Sequence, residues 1–194
     1  MKITGVILAG GLARRMNHQD KGLLLYQHRP LISYAINAML PVVDELIINA
    51  NRHIEHYQAF GLPVISDLTT SFDGPLAGIL AAMQYTDAEV LLVMPCDAPL
   101  MTSEALKKLL DEKQKSNTEL AVACDGQYWH SVFLALNTDL KNSLQQYLAN
   151  GERKIQTWLK QHEFVTVEFS EYAELFTNIN TLTELALLET NNKD

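Results

Sequence analysis

Short runs of aliphatic and β-branched residues alternate along the chain with longer stretches in which apolar positions recur every three or four residues. The short runs are typical of β-strands. Several are apolar without polar alternation, as in strands that helices cover on both faces. We predict strands at residues 3–9, 45–50, 63–67, 90–97, 119–125, 131–137 and 165–170. The longer stretches predict helices at residues 31–40, 75–84, 103–116, 139–148, 154–162 and 181–189.

Three of the predicted helices carry recognisable start signals. Pro75 suits the first turn of its helix, where no backbone N–H is needed. Thr102 is a candidate N-cap, with Glu104 in the first turn, where the helix dipole favours an acidic side chain. Thr181 and Glu184 have the spacing of a capping box, so the last helix is expected to begin there.

The alternation of strands and helices predicts a three-layer α/β/α sandwich with a Rossmann-like, mostly parallel sheet that includes at least one antiparallel strand. With 194 residues, the chain is expected to form a single domain, 1–194. Ligands of such sheets bind at the carboxyl ends of the strands. Four strand ends carry a glycine or a polar group: Gly10-Gly11, Asn49, Asp67 and Asp97. If these strands are parallel neighbours, the four ends line one crevice, although each alone is also typical of a turn.

The composition limits the classes of molecule that the protein is expected to bind. Apolar residues make up 47% of the chain, enough for a full core, and 15 basic against 23 acidic residues give a net charge of −8. Such an acidic protein is not expected to bind nucleic acid or membranes in general, because like charges repel. An anionic ligand would need a local basic cluster, and the clearest one is formed by Arg14, Arg15, His18 and Lys21.

Two observations favour the cytoplasm. Cys96 and Cys124 show no CxxC spacing and fit reduced core cysteines. The apolar segment 3–9 is too short for a signal peptide and runs into Gly-Gly, and no apolar run reaches membrane-spanning length.

The loop LAGGLARRMNHQDKG, residues 8–22, has the components of a phosphate site. It matches neither the GxGxxG dinucleotide fingerprint nor the GxxxxGK[ST] loop. Its glycines would allow backbone N–H groups to approach phosphate oxygens, and Arg15 and Lys21 would supply fixed positive charge. The alternative is a surface turn with solvated charges.

A second candidate site follows the apolar strand of VLLVMPCDAP, residues 90–99. Asp97 ends this strand and offers the oxygen ligand that Mg²⁺ prefers, often together with substrate phosphates. The alternative is an Asp that caps a turn. Together the two features indicate nucleotidyl transfer, with Arg15 and Lys21 stabilising phosphate charge as the bond to pyrophosphate breaks. No nucleophile-elbow pattern surrounds His130-Ser131.

These motifs carry a resemblance. LAGG-x3-RM-x3-DKG, CDAP and NINT-x2-EL (178–185) resemble the nucleotidyltransferase superfamily that activates sugars and cofactors. IINANR (47–52), VISD (64–67), DGPLAGIL (73–80) and NGERKI (150–155) extend the resemblance to the molybdenum cofactor guanylyltransferases over nearly the whole chain. That family transfers GMP from GTP to molybdopterin bearing molybdenum, releases pyrophosphate and requires Mg²⁺.

The resemblance implies roles for individual residues. It places the triphosphate on Leu8, Ala9, Gly10, Gly11, Arg15 and Lys21. It assigns guanosine contacts to Asn49 and Asp67, and the metal, with a catalytic role, to Asp97. The acceptor side would involve Asn178, Asn180 and Arg153. It also implies transient contact with cofactor-delivery proteins and molybdoenzyme chaperones.

Two positions depart from the family pattern: Asn17 stands where many members have Gly, and Ser131 where many have Pro. Asn tolerates left-handed backbone geometry, which would preserve the loop. LAGG rather than LAAG favours GTP over CTP. The alternatives are a cytidylyltransferase or sugar-phosphate nucleotidyltransferase with the same core, and a non-catalytic adaptor that binds nucleotide or cofactor.

Overall fold

The computed structural model describes residues 1–9, 20–68 and 74–191. Two of its strands form a small hairpin and seven form one sheet. In chain order, the strands are β1 (Ile3–Leu8), β2 (Leu25–Tyr26), β3 (Arg29–Pro30), β4 (Glu45–Asn49), β5 (Val64–Ile65), β6 (Val90–Pro95), β7 (Leu120–Cys124), β8 (Trp129–Asn137) and β9 (Phe164–Glu168). The hairpin pairs β2 with β3.

The seven-stranded sheet has the order β5-β4-β1-β6-β8-β7-β9. Strand β8 runs antiparallel to both of its neighbours, and every other pair is parallel. The prediction of a mostly parallel sheet with an antiparallel strand is confirmed. The carboxyl ends of β1, β4, β5, β6 and β7 therefore lie at one edge of the sheet, here called the carboxyl edge.

The part of the chain described contains seven α-helices. They are α1 (Leu31–Met39), α2 (Ile54–Gln58), α3 (Pro75–Tyr85), α4 (Ser103–Ser116), α5 (Lys141–Ala149), α6 (Ile155–Leu159) and α7 (Leu182–Asn191). The predicted starts of three helices are confirmed. Pro75 opens α3. Thr102 Oγ1 accepts a hydrogen bond from the backbone N of Ala105. Thr181 and Glu184 cap each other reciprocally before α7.

Successive strand residues point to opposite faces of the sheet, and each face has its own apolar core. Ile7 packs in the cluster that includes α1 and α4, and Val6 packs in the cluster that includes α3, α5 and α6. Side chains such as Met39 on the first face and Trp158 on the second are fully buried. The predicted three-layer sandwich is confirmed.

A third, smaller cluster joins the end of the chain to its beginning. Ile179 and Leu185, in and before α7, pack against Tyr26 of the hairpin and Leu31 of α1. The backbone N of Ile179 also donates to the carbonyl O of Asp97 at 2.9 Å. These contacts bring the C-terminal segment to the carboxyl edge.

Two predicted elements exceed the observed ones by the widest margin. The strand predicted at 63–67 ends at Ile65, because the Ser66 hydroxyl bonds the Ala50 carbonyl and the backbone N of Asp67 bonds the Asn51 side chain. The helix predicted at 154–162 covers only 155–159, since the chain turns tightly through i to i+3 hydrogen bonds at Gln161 and His162.

Two other elements are absent from the prediction, the β2–β3 hairpin and the five-residue helix α2. None of the helices in the described ranges is long and apolar enough to cross a membrane.

Candidate active site

Four of the predicted site residues lie at the carboxyl edge, where the parallel ladder ends. Leu8 is the last residue of β1 and pairs with Asn49, the last residue of β4. The next residue, Ala9, is buried, and its backbone N donates to the Asn49 carbonyl at 2.8 Å. The backbone N of Cys96 donates to the Leu8 carbonyl at 3.1 Å, and this bond places Asp97 directly beside the end of β1.

Lys21 joins three segments that are distant in sequence. Its Nζ lies 3.1 Å from Asp97 Oδ2 and donates to Asn180 Oδ1 at 2.7 Å. The Lys21 side chain is 26% exposed and that of Asp97 is 11% exposed, so the pair faces a partly open crevice. The structure thus brings together the lysine of the loop, the carboxylate after β6 and the segment before α7.

The backbone beneath Lys21 is held by a buried carboxylate. Asp20 Oδ1 accepts hydrogen bonds from the backbone N of Gly22, at 3.2 Å, and from the hydroxyl of Tyr57 on α2. Asp20 thereby caps the short 3-10 turn Lys21–Leu23. Tyr57 is fully buried, and burial raises the pKa of its hydroxyl far above the ordinary value, so the hydroxyl remains a donor.

Gly22 packs too closely for any side chain. A Cβ on it would lie 2.6 Å from the Tyr57 hydroxyl oxygen and 3.3 Å from Cys96 Sγ. Gly22 therefore packs directly against Cys96, the residue that precedes Asp97. This close approach fixes the distance between the turn that carries Lys21 and the end of β6.

Asp97 has the features of a metal ligand. Its Oδ1 is buried and has no hydrogen-bond partner among the described residues, and the same is true of Asn178 Oδ1. A buried carboxylate oxygen without a donor is costly unless a ligand satisfies it. No cluster of three or more His, Cys, Asp or Glu side chains suited to a metal occurs in the described ranges. One carboxylate with neutral oxygens suits Mg²⁺ that also binds phosphates.

A second polar cluster lies at the ends of β4 and β5. Asn49 Nδ2 donates to Asp67 Oδ1 at 3.0 Å, and Asn51 Nδ2 donates to Asp67 Oδ2 at 2.8 Å. The backbone N of Asp67 donates to Asn51 Oδ1 at 2.8 Å. Both predicted guanosine residues, Asn49 and Asp67, are therefore in direct contact.

Gly78 of α3 makes room for this cluster. A Cβ at Gly78 would overlap Asn49 Oδ1 and lie 2.9 Å from Asn49 Cγ. Asn49 is 3% exposed, so its carboxamide has no other space to occupy without disturbing the core. The helix thus fixes the orientation of the Asn49 amide.

The remaining predicted residues are placed as follows. Gly10, Gly11, Arg15 and Asn17 lie outside the described residues. Arg153 follows α5 and donates to the carbonyls of Leu148, in that helix, and of Glu152.

Ser131 lies in β8, and its hydroxyl donates to the Trp129 carbonyl. It sits at a bulge where the β7–β8 register shifts between Val122 and Ala123.

Asp20, Asn51, Tyr57 and Gly78 were not predicted as site residues. Asp20 and Asn51 lie within the DKG and IINANR stretches, so their neighbours offered a signal. Gly78, in DGPLAGIL, was a glycine in a predicted helix interior, which often marks close packing. Tyr57 offered none, because it belongs to a short helix without a clear apolar period.

Comparison with known families and proteins finds relatives over nearly the whole chain. The family model described as MobA-like NTP transferase domain matches residues 5–166. A protein of Shewanella halifaxensis named molybdenum cofactor guanylyltransferase is 46% identical over 93% of this chain and 90% of its own. One of the same name from Shewanella baltica is 45% identical over 93% and 92%.

Solved structures share the fold. The molybdopterin-guanine dinucleotide biosynthesis protein A of Archaeoglobus fulgidus superposes with a TM-score of 0.80 at 22% identity, covering 98% of both chains. The 4-diphosphocytidyl-2C-methyl-D-erythritol synthase of Anaerococcus prevotii gives 0.75 at 14% identity, covering 100% and 99%. The family model and the curated relatives show that the chain belongs to the MobA-like NTP transferases, among the molybdenum cofactor guanylyltransferases.

Proposed function

We propose that this protein transfers GMP from GTP to molybdopterin bearing molybdenum, forming the guanine dinucleotide cofactor and releasing pyrophosphate. The observation that carries the proposal is the placement of Lys21 Nζ against Asp97 and Asn180 at the carboxyl edge. Relatives that match 93% of the chain and bear the guanylyltransferase name support it.

The reaction needs positioning and charge neutralisation rather than a covalent intermediate. An acceptor phosphate oxygen attacks the α-phosphorus of GTP, and the bond to pyrophosphate breaks. Lys21 is a compact charge that would exchange its present partners for phosphate oxygens. Arg15 would add a second positive charge. The backbone N–H groups of Gly10 and Gly11 would contact the same triphosphate.

Asp97 and the neighbouring Asn178 would hold Mg²⁺ through oxygens. Bound Mg²⁺ would neutralise negative charge on the phosphates of donor and acceptor. Asp97 Oδ1, which is buried and has no partner within the described ranges, supports this assignment, because a cation would satisfy it. Asp97 is also held in place through its backbone carbonyl, which accepts from Ile179.

The cluster of Asn49 and Asp67 would bind the guanosine. A carboxylate is an acceptor only, and guanine presents N–H donors on its pairing edge. Asn178 and Asn180 would face the acceptor, since Asn180 contacts Lys21 from the C-terminal side. Arg153 would join them, a role that rests on the family resemblance alone.

The proposal extends to partners and location. Delivery of molybdopterin and transfer of the product would involve transient contacts with cofactor-delivery proteins and molybdoenzyme chaperones. The free thiols of Cys96 and Cys124 are consistent with the reducing cytoplasm.

The test is turnover with purified protein, molybdopterin bearing molybdenum, Mg²⁺ and either GTP or CTP, with pyrophosphate release as the readout. We expect pyrophosphate with GTP and dinucleotide as the co-product. Exclusive use of CTP would replace the proposal with a cytidylyltransferase. Binding of GTP with Mg²⁺ but no pyrophosphate release would favour a non-catalytic adaptor.

The Asp97→Ala variant tests the metal assignment. Its activity should fall by about a hundredfold or more, and raising the Mg²⁺ concentration should not restore it fully. Asp111→Ala is the matched control, because Asp111 is an exposed carboxylate on α4 that pairs with Lys107. A near-normal rate for Asp97→Ala would show that Asp97 is not the metal ligand. The proposal of guanylyl transfer would not be affected.

A further inference from the structure

In the cluster at the ends of β4 and β5, Asn51 holds Asp67, one of the residues proposed to bind guanosine. Asn51 makes two hydrogen bonds to the same partner: its Nδ2 donates to Asp67 Oδ2 and its Oδ1 accepts from the backbone N of Asp67, both at 2.8 Å. One carboxamide thus holds both the backbone and the carboxylate of Asp67. Such a reciprocal pair restricts rotation more than a single hydrogen bond does.

Asn49 and Asn51 each hydrogen-bond one oxygen of the Asp67 carboxylate. Asn49 bonds Oδ1 from the buried side, where Gly78 leaves it no freedom to move. Asn51 bonds Oδ2 from the half-buried side. With one amide at each oxygen, the plane of the Asp67 carboxylate is fixed relative to the ends of β4 and β5.

A fixed carboxylate discriminates between nucleobases. Ionised Asp67 can only accept, and each oxygen keeps a further lone pair after its bond to an amide. Guanine offers two adjacent donors, the ring N1–H and the 2-amino group. Hypoxanthine offers the ring N–H without the amino group, and neither cytosine nor adenine offers this donor pair. Two acceptor oxygens held in one plane favour guanine, because it can donate a hydrogen bond to each of them.

We propose that Asn51 is a positioning residue for nucleobase specificity, which holds the Asp67 carboxylate in the orientation that accepts from both guanine donors. This inference rests on the proposed function. It assigns Asn51 no contact with the nucleotide, since its carboxamide is already paired with Asp67.

The test compares GTP with ITP, which lacks the 2-amino group. Asn51→Asp keeps the size and the acceptor but replaces the donor to Asp67 with a like charge. The ratio of kcat/KM for GTP to that for ITP should fall by about tenfold, because a hydrogen bond to a charged group is lost. The kcat at saturating GTP should change by less than about threefold, as expected for lost uniform binding.

Asn142→Asp is the matched control, because Asn142 is exposed on α5 and gains the same charge. Its GTP/ITP ratio should equal that of the wild type. Asn51→Ala, which removes both hydrogen bonds without adding charge, serves as the second variant. Calorimetric binding of GTP and ITP with Mg²⁺ to each variant repeats the comparison without the acceptor substrate.

The outcomes separate the two proposals. An unchanged ratio in a folded Asn51 variant would overturn the inference, and so would an equal loss on both nucleotides, which indicates a structural role. Unfolding of both variants would assign Asn51 to the fold and also overturn it. A wild type that transfers GMP without preferring GTP to ITP would refute the inference alone. A wild type that binds GTP selectively but transfers no GMP would refute the proposed function alone.

Discussion

The backbone at Lys21 is positioned by contacts of the neighbouring residues. The carboxylate of Asp20 and the hydroxyl of Tyr57 hold the turn beneath it, and Gly22 lets that turn approach β6. The lysine side chain is flexible, so its effective location depends on the backbone from which it extends.

Replacing Tyr57 with Phe tests this support. The ring and its packing stay, but Asp20 loses a donor, and the 3-10 turn loses part of its anchor. We expect the KM for GTP to rise about fivefold to tenfold with little loss of secondary structure. Steady-state kinetics and circular dichroism are the measurements. Tyr147→Phe, which removes a hydroxyl that donates to the Lys154 carbonyl, is the control. Equal KM values in both variants would contradict the role of Tyr57.

Replacing Gly78 with alanine should lower the stability of the protein, whereas the same substitution inside a helix usually raises it. Replacing an interior helical glycine by alanine ordinarily stabilises a protein by about 1 kcal/mol. Here the new methyl group would collide with Asn49, so Gly78→Ala should destabilise by about 1–3 kcal/mol and weaken GTP binding. Urea unfolding measures the change.

A double-variant comparison isolates the cause. Adding Asn49→Ala to Gly78→Ala should recover part of the lost stability, because the small side chain relieves the collision. Strict additivity of the two changes would show that Gly78 and Asn49 do not interact.

At the scale of elements, the turn between β7 and β8 depends on one carboxylate. Asp125 accepts from the backbone N of Tyr128 and of Gln127, and from His130 Nε2. The backbone bonds, with a smaller part from His130, lower the pKa of Asp125 to about 2. His130 in turn stacks on Phe176 with ring centroids 4.2 Å apart.

The lowered pKa of Asp125 gives a pH dependence with a defined sign. Ionised Asp125 stabilises the fold at all pH values above its ordinary pKa of 3.8, and this contribution disappears as the pH falls from 3.8 towards 2. The difference in free energy of unfolding between the wild type and Asp125→Ala should therefore shrink in that window. Unfolding in urea at several pH values measures it, with Asp111→Ala as the control. A difference independent of pH would contradict the assignment.

The start of α7 is coupled to the site. Glu184 Oε2 accepts from the backbone N of Asn180 at 2.5 Å and of Thr181 at 3.0 Å. Glu184→Ala should therefore destabilise the helix by about 1 kcal/mol and lower the hydrogen-exchange protection of both amides. Glu189→Ala, in the same helix, should leave both amides protected. Equal exchange in the two variants would show that the cap does not hold Asn180.

Across the whole molecule, the sequence predicted best what local pattern determines. The apolar run of β6 and the capping residues of α4 and α7 indicated these elements because their side chains fix them locally. The β2–β3 hairpin was missed because Gln27 and His28 occupy left-handed backbone regions that usually favour Gly or Asn. The start of α2 was missed because its N-cap, His53, has a left-handed backbone conformation and makes no side-chain capping hydrogen bond.

In the candidate site, too, the residues in local motifs were predictable and those that depend on packing were not. Asp97 and Lys21 were recognisable from motifs that each occupy one segment. The contacts of Tyr57 with Asp20 and of Gly78 with Asn49 depend on packing between elements, which no local pattern encodes. The residues proposed to touch the ligand were therefore recognisable from the sequence, and the residues that support them were not.

The contact between Lys21 and Asn180 depends on the carboxyl-terminal part of the chain. Lys21 and Asn180 lie 159 positions apart and meet at the crevice. During synthesis the amino-terminal part emerges first, so Lys21 and Asp97 are present well before Asn180. A chain terminated early or clipped before residue 180 would retain every strand of the sheet if it extended past Glu168, yet would lack one wall of the crevice. Under the role proposed for Asn180, such a chain would form its sheet yet transfer GMP poorly.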